Sequence, residues 1–180
     1  MTFELREATL SDRTALDALI ARSIRTLGAG DYTSPQIEAA LLGAFGVDTQ
    51  LIRDRTYFTV RDAEGRLVGC GGWSRRRTLF GSDARDGRDA AELDPAVDAA
   101  KIRAFFVDPS AARRGIGSLL LSHCESEAAA HGFRRFELMA TLPGVRLYAA
   151  RGYRPRAPIQ HRLGPDLAIE FVPMEKISPT

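Results

Sequence analysis

The chain has 180 residues, of which 44% are hydrophobic and 27% are charged. These proportions are typical of a globular protein that buries a sizeable core, and they predict one domain spanning residues 1–180. The 25 basic and 23 acidic side chains leave a net charge of only +2. This balance argues against a nucleic-acid-binding protein, whose basic surface would normally give a larger positive excess.

The sequence also argues against a membrane or metal-binding protein. No uninterrupted apolar run approaches the roughly 18 residues of a membrane span, and the first residues lack the apolar centre of a signal peptide. Cys70 and Cys124 lie in separate apolar segments, and His123, His131 and His161 lack the spacing of metal ligands. We therefore expect a cytoplasmic protein with core cysteines, no disulfide and no metal site.

The first half of the chain predicts one strand, two helices and a hairpin. Residues 3–8 alternate apolar and charged side chains, as a strand does. Helices are predicted over residues 11–27, capped by Ser11 and Asp12, and over residues 34–46, with proline in the first turn and glycine at the end. The β-branched and aromatic residues of the next segments favour a hairpin of two strands, 56–61 and 67–74.

The first half of the chain also contains a glycine-rich strand and a long polar connection. Gly69, Gly71 and Gly72 lie inside the second hairpin strand, where they indicate a bulge or a close backbone approach. Residues 78–100 then form a polar connection long enough to be functional or mobile. It contains six carboxylates, for which a solvated acidic loop is the common explanation: Asp83, Asp86, Asp89, Glu92, Asp94 and Asp98.

The second half predicts a strand, a helix, a strand, a short helix and a closing strand pair. The predicted ranges are 102–107, 116–131, 134–140, 145–151, 153–162 and 168–177. The apolar face of the longer helix follows i, i+3, i+4 spacing and consists of Ile116, Leu119, Leu120, Cys124 and Ala128. The whole pattern predicts an α/β protein with a mixed sheet flanked by helices.

The start of the helix after residue 115 has the features of an anion site. Two arginines, Arg113 and Arg114, precede a Gly-x-Gly formed by Gly115 and Gly117. The first amides of a helix lack intrahelical partners, and the helix dipole makes that end partially positive. Without Cβ atoms in the way, a phosphate or pyrophosphate would reach these amides. A glycine-rich turn that only starts a core helix is the alternative.

These segments together resemble the GNAT superfamily of N-acetyltransferases. The resemblance rests on the order of elements, on RRGIGSLL at residues 113–120 and on LYAARGY at residues 147–153. In that family a strand leads into a Q/R-x-x-G-x-G/A loop that binds the pyrophosphate of acetyl-CoA. Gly115 and Gly117 match its glycines, whereas Ala112 stands where the family has glutamine or arginine. The implied fold is a mainly antiparallel sheet of about six to seven strands with about four helices.

The resemblance implies roles for particular residues in an acetyl-CoA-dependent N-acetyltransferase. Tyr148 takes the place of the tyrosine that protonates the departing thiolate of coenzyme A, while the amine attacks directly in a ternary complex. A backbone amide of the preceding strand would polarise the thioester carbonyl. The residues expected to bind acetyl-CoA are Phe105, Phe106, Val107, Arg113, Arg114, Gly115, Ile116, Gly117 and Ser118.

The amine half of the site is less defined by the sequence. The strand before the loop lacks the carboxylate that many family members use as a base. Glu137, Glu92 and Tyr32 are possible substitutes, and a water relay explains proton loss equally well. Tyr32, Trp73 and Phe80 are candidates for lining the acceptor pocket, with core packing as the alternative for Trp73. The acidic residues of the 78–100 connection would attract a cationic amine if they faced that pocket.

Two other functions remain open at this point. A non-catalytic acyl-CoA sensor would explain the missing carboxylate, although retention of Tyr148 counts against it. A nucleic-acid binder has only local arginine clusters in its favour. The acceptor is expected to be a small-molecule amine or a protein or peptide amine, and the closing strands offer an edge along which a homodimer would pair.

Overall fold

The computed structural model describes residues 2–178, which form eight strands and five α-helices. The strands are β1 (Glu4–Glu7), β2 (Tyr57–Arg61), β3 (Leu67–Ser74), β4 (Ala100–Val107), β5 (Arg135–Thr141), β6 (Arg154–Pro155), β7 (Ile159–Gly164) and β8 (Leu167–Ile177). The helices are α1 (Arg13–Leu27), α2 (Ser34–Ala40), α3 (Thr49–Arg53), α4 (Ile116–Ala130) and α5 (Val145–Ala150).

All eight strands belong to one sheet with the order β1-β2-β3-β4-β5-β8-β6, and β7 also pairs with β8. Only β4 and β5 run parallel to each other, and every other pair is antiparallel. This confirms the predicted mixed, mainly antiparallel sheet. The strand count exceeds the prediction because residues 153–162 divide into β6 and β7, and the helix count exceeds it because α3 was not foreseen.

The sheet separates two hydrophobic cores. One contains the buried face of α4 together with side chains such as Phe58, Trp73 and Phe136. The other contains the buried face of α1 together with Tyr57, Phe171 and their neighbours. Each face of the sheet is therefore covered by its own helices, as expected for a sheet buried on both sides.

Leu119 was wrongly placed on the buried face of α4. Its side chain is 40% exposed, whereas Leu121 is 1% exposed and belongs to the core. Each residue turns the helix by about 100°, so Leu119 and Leu121 lie on opposite sides of Ile116, Leu120 and Cys124, and the i, i+3 template selected the wrong one. The other predicted face residues, Ile116, Leu120, Cys124 and Ala128, are buried.

The second predicted helix ends earlier than residue 46. α2 stops at Ala40, and turns follow in which the Phe45 amide donates to the Ala40 carbonyl at 2.8 Å. These turns bring Phe45, which is 5% exposed, into the core. Asp48 then caps α3 by accepting a hydrogen bond from the Gln50 amide at 2.9 Å. Glycines at positions 43 and 46 explain why the helix gives way to turns here.

The predicted cap of the first helix was also wrong in detail. Asp12 stands at the cap position of α1, but its side chain makes no capping bond there. Its carboxylate instead accepts from the Thr9 amide at 2.9 Å and pairs with Arg6 and Arg61 at 3.2 and 3.1 Å. It therefore closes the 3-10 turn of residues 10–12 that precedes α1 and fastens it to β1 and β2.

A buried ion pair joins β4 to the start of α3. Arg103 and Asp48 are 4% and 1% exposed, and their side chains meet at 2.7 Å. Arg103 also donates to the Gly81 carbonyl at 2.7 Å, and Arg88 pairs with the other carboxylate oxygen of Asp48 at 2.7 Å. Burying a charge costs free energy unless the charge keeps its partner. These contacts therefore hold the 78–100 connection against the sheet.

We predict that Asp48→Ala destabilises the protein by about 3–5 kcal/mol, because it leaves the Arg103 guanidinium buried without a counter-charge. Urea denaturation followed by circular dichroism measures the change. Asp31→Ala, at an exposed position after α1, is the matched control and should cost less than about 0.5 kcal/mol. Equal stabilities for the two variants would contradict the importance of the pair.

Candidate active site

A cleft opens in the sheet where β4 and β5 separate. Their parallel ladder contains only two residue pairs, Ala100 with Phe136 and Lys101 with Glu137. Beyond Lys101 the two strands diverge, and side chains from both faces of the sheet line the gap. The lining residues are Ala44, Phe45, Gly46, Phe80, Gly81, Ile102, Arg103, Ala104, Phe105, Phe106, Leu138, Met139, Thr141, Tyr148 and Phe171.

A bulge in β4 accompanies this separation. Ala104 and Phe105 stand opposite the single residue Gly71, and Ala104 has a φ of 55°. The Tyr57 hydroxyl donates to the Ala104 carbonyl at 3.2 Å, which holds the bulge in place. A Cβ on Gly71 would lie 2.7 Å from the Phe105 ring, so this glycine is required by the close approach. The prediction of a bulge or a close backbone approach at the β3 glycines is thus confirmed as a close approach at Gly71, opposite a bulge that lies in β4.

The bulge leaves one edge of β4 without a neighbouring strand. Phe106 and Val107 pair with β3 on one side, while the ladder to β5 has already ended on the other. Backbone N–H and C=O groups along that free edge are available to an extended ligand, which would lie beside β4 as an added strand. The backbone of Phe105, Phe106 and Val107 therefore lies where the sequence predicted a donor-binding strand.

The loop before α4 presents its amides as the sequence pattern indicated. Arg113 and Gly115 have φ values of 64° and 85°, and α4 begins at Ile116. The first intrahelical bond is donated by Leu119 to the Gly115 carbonyl, so the preceding amides have no helical partner. Left-handed residues beside a helix start form a concave row of N–H groups that suits an anion.

The two glycines of this loop serve different purposes. Gly115 adopts a left-handed conformation, and a Cβ there would meet no atom within 4 Å. A Cβ on Gly117 would lie 2.8 Å from the Leu147 side chain, so Gly117 lets α5 pack against α4. The expectation that both glycines make room for an anion stays a prediction, and at Gly117 the missing side chain also relieves a contact with Leu147.

The remaining loop residues divide between surface and core. The side chains of Arg113 and Arg114 are exposed, while that of Ile116 is buried in the α4 core, so only its amide faces the loop. The Ser118 hydroxyl accepts a hydrogen bond from Arg151 Nε at 3.2 Å. Arg151, at the end of α5, thus adds a third arginine beside the helix start, which sequence reasoning missed because α5 is distant in the chain.

Tyr148 reaches the cleft from α5. Its side chain is 8% exposed and packs edge-on against Phe105 and Tyr153, with ring centres 6.3 and 5.9 Å apart. Its hydroxyl makes no hydrogen bond within residues 2–178, unlike that of Tyr153, which donates to Glu125 at 2.9 Å. Burial raises the pKa of Tyr148, and the phenol is therefore protonated at neutral pH.

The three candidate bases lie away from the cleft. Glu137 forms an ion pair with Lys101 where β4 and β5 still pair, and exposed Glu92 pairs with Arg75 at 3.3 Å. The Tyr32 hydroxyl donates to the Glu170 carbonyl at 2.7 Å and accepts from the Leu142 amide at 2.9 Å. Burial raises the pKa of Tyr32 to about 12. Each of these side chains is engaged in structural contacts.

Of the predicted pocket aromatics, only Phe80 lines the cleft. Tyr32 bridges backbone segments as described above, and Trp73 is fully buried in the α4 core, where its ring packs against Phe133. Phe45 and Phe171 take their place beside Phe80. Sequence reasoning missed Phe45 because the residue was assigned to a helix, and Phe171 because it lies in the closing strand pair.

The carboxylates of the 78–100 connection are absent from the cleft lining given above, and most of them make local contacts. Asp83 accepts from the Thr49 amide at 2.9 Å and pairs with Arg13 at 3.4 Å. The side chain of Asp89 accepts from the Ala91 amide, and that of Asp98 from the Asp94 amide. These contacts favour the common explanation, a solvated acidic loop, over the alternative that the run attracts a cationic amine.

No helix between residues 2 and 178 is long and apolar enough to cross a bilayer. Over the same stretch, histidine, cysteine, aspartate and glutamate side chains form no group of three that would hold a metal ion.

Comparison with solved structures places this fold among known acetyltransferases. A GCN5-related N-acetyltransferase from Rhodopseudomonas palustris is 20% identical, with a TM-score of 0.71, and the match covers 98% of this chain and 96% of that one. The PaiA N-acetyltransferase from Thermoplasma acidophilum, solved with coenzyme A, is 15% identical, with a TM-score of 0.65 and coverages of 98% and 99%.

A third similar structure is a phosphinothricin acetyltransferase from Sinorhizobium meliloti, solved with acetyl-CoA. It is 17% identical, with a TM-score of 0.64, and the match covers 99% of this chain and 89% of that one. At these identities the structures establish the fold. The sequence profile of the acetyltransferase (GNAT) family matches residues 23–153, which include β4, the glycine loop and Tyr148. The chain therefore belongs to the GNAT family of acetyltransferases.

Proposed function

We propose that the protein transfers an acetyl group from acetyl-CoA to an amine by direct attack within a ternary complex, as one acetyltransferase domain spanning the chain. The observation that carries the proposal is the free edge of β4, which runs from the cleft lined by Phe105 and Tyr148 toward the loop that presents the amides at the start of α4. A donor bound along this edge would place its pyrophosphate at the amides of α4 and its thioester at Tyr148.

The residues fit the donor in two ways. The pantetheine arm is a chain of amides, and the unpaired backbone of Phe105, Phe106 and Val107 would bind it as a sheet accepts a strand. The pyrophosphate is an anion, and the amides of residues 114–118 together with Arg113, Arg114 and Arg151 supply positive charge at the helix start. Both features lie at the same end of β4.

The acetyl thioester supplies the carbonyl that an amine attacks. A β4 backbone amide at the free edge would stabilise the negative charge that develops on the carbonyl oxygen. As the C–S bond breaks, Tyr148 donates its phenolic proton to the sulfur, and the proton lost by the attacking nitrogen as the amide forms returns to the phenolate through water. A phenol normally has a pKa only slightly above that of a thiol, and burial raises the pKa of Tyr148, so the phenol keeps its proton until the departing thiolate develops charge beside it.

The attacking amine must first lose its own proton. Carboxylates are absent from the cleft lining formed by residues 2–178, and the candidates Glu137, Glu92 and Tyr32 are engaged elsewhere. We therefore assign this step to water that connects the cleft with bulk solvent. Because the step then depends on the free amine, the reaction rate should rise with pH until the acceptor itself is deprotonated.

A non-catalytic acyl-CoA sensor is the second candidate, favoured only by the absence of a carboxylate from the cleft lining. Such a protein would bind acetyl-CoA without releasing thiol in the presence of any amine. The hydroxyl of Tyr148 favours catalysis, since the residue lines the cleft and its hydroxyl has no partner within residues 2–178 that would compete with a ligand, whereas that of Tyr153 is bonded to Glu125.

We predict that Tyr148→Phe lowers kcat by about 100-fold, because a positioned general acid typically contributes 10²–10⁴-fold. The affinity for acetyl-CoA should change little, since the ring and its contacts remain. Thiol release measures kcat, and calorimetric titration measures affinity. Tyr153→Phe removes a neighbouring hydroxyl that is bonded to Glu125, and it should leave kcat within a few-fold. Comparable kcat values for the two variants would contradict the acid role.

We also predict that Gly115→Ala weakens acetyl-CoA binding by about tenfold, or ~1.4 kcal/mol, because alanine disfavours the left-handed conformation that orients the loop amides. Gly65→Ala is the control, since Gly65 has a φ of 76° and equally open surroundings in the hairpin between β2 and β3. Both variants should lose similar stability, yet only Gly115→Ala should lose affinity. A loss of affinity in both variants would show general destabilisation.

A further inference from the structure

Residues of both hydrophobic cores line the cleft, one core on each face of the sheet. Tyr148 and Phe105 belong to the face covered by α4 and α5. Phe45, Phe80 and Phe171 belong to the face covered by α1, α2 and α3. The donor proposed above lies along the free edge of β4 with its pyrophosphate at α4 and its thioester at Tyr148, both on the α4 face, so the acceptor approaches from the other face. We call the part of the cleft lined by Phe45, Phe80 and Phe171 the acceptor end.

The acceptor end has an apolar, aromatic wall. Phe171 lies 5.9 Å from Phe45 and 5.5 Å from Phe80, both edge-on, and His161 stacks against Phe171 at 5.9 Å. Burial and the nearby Arg85 lower the pKa of His161, so the imidazole is neutral at pH 7. This wall suits an apolar or aromatic group on the acceptor.

An arginine without a counter-ion contacts this wall through Phe80, although its own side chain is not among the cleft-lining residues given above. The Arg85 guanidinium lies 4.2 Å from the centre of the Phe80 ring and donates to the Phe80 carbonyl at 2.9 Å. Within residues 2–178 no carboxylate lies within 4.0 Å of it, and the residue is only partly exposed. Burial and the neighbouring Arg88 lower the pKa of Arg85, yet an arginine remains charged at neutral pH.

The surrounding charges do not compensate Arg85. Arg88 and Arg103 share the carboxylate of Asp48, and Asp83 lies 3.6 Å from Arg88 and 3.4 Å from Arg13. In addition, the Nε of Arg103, a cleft-lining residue that is 4% exposed, has no hydrogen-bond partner among the described residues. Positive charge is therefore in excess at this end of the cleft, which disfavours polycationic acceptors such as polyamines.

We propose that the acceptor carries, besides its amine, an anionic group and an apolar side chain, and that Arg85 binds the anionic group. A carboxylate is the simplest such group, and the fork of a guanidinium matches it well. The substrate class is then that of amino acids with apolar or aromatic side chains. This inference rests on the acetyltransferase function proposed above.

The alternative is that Arg85 only fastens the connection between β3 and β4. It donates to the Phe80 carbonyl, and its side chain packs so closely on Gly81 that a Cβ there would lie 2.3 Å from it. Arg85→Gln separates the two roles, because the amide keeps an N–H donor for the carbonyl while the charge is lost. Arg77→Gln, an exposed arginine of the same connection, is the control for net charge.

Calorimetric titration of the protein saturated with coenzyme A provides the test. The ligands are matched acid and amide pairs: the N-acetyl derivatives of leucine, methionine, phenylalanine and tryptophan, and the corresponding N-acetyl amino-acid amides. These are product analogues that differ only in the anionic group. At least one acid should bind about tenfold more tightly than its amide, as expected for a hydrogen bond to a charged group. Arg85→Gln should abolish that preference, and Arg77→Gln should retain it.

Three results would overturn the inference: equal or tighter binding of every amide, no binding of any pair, or an acid preference that survives in Arg85→Gln. Titration of coenzyme A alone separates this inference from the proposed function. Failure to bind coenzyme A counts against the acetyltransferase proposal and this inference together. Normal coenzyme A binding without an acid preference counts against the acceptor inference alone.

Discussion

The geometry of the site depends on the early end of the parallel ladder between β4 and β5. Two residue pairs hold these strands together, and the bulge at Ala104 then turns β4 away. Antiparallel pairing with β3 continues on the other side, so the sheet stays intact while one backbone edge becomes free. Tyr57 and Gly71 maintain the bulge, one through a hydrogen bond to its carbonyl and the other through its missing side chain. An open cleft is thus built from rigid strands.

Because the strands separate here, the donor half and the acceptor half of the site are held in place by different contacts. On one face, α4 brings its amides and α5 brings Tyr148, with Gly117 allowing the two helices to approach. On the other face, the buried pair of Arg103 and Asp48 fastens the connection that carries Phe80. The first arrangement suits a phosphate-bearing donor common to a whole family. The second depends on loops, which vary readily while the sheet remains unchanged.

Local patterns explain why the donor half could be predicted from the sequence. The glycine loop, the following helix and Tyr148 each lie in short segments with characteristic spacing, and Gly71 signalled the bulge. The acceptor half required contacts between distant segments. Asp48 caps α3, a helix that the sequence pattern did not predict. Phe45 reaches the cleft through turns that the pattern had predicted as helix. Arg85 lacks a counter-ion only because the neighbouring carboxylates are paired with other arginines. Sequence spacing does not encode such juxtapositions.

Hydrogen–deuterium exchange with and without acetyl-CoA tests the central claim most directly, because exchange reports on individual backbone amides. If the donor lies along the free edge of β4 and on the start of α4, acetyl-CoA should slow exchange in peptides covering residues 104–107 and 114–118. Peptides covering residues 4–7, at the opposite side of the sheet, should be unaffected. Unchanged exchange in both predicted segments at saturating acetyl-CoA, or protection confined to other parts of the chain, would contradict this account.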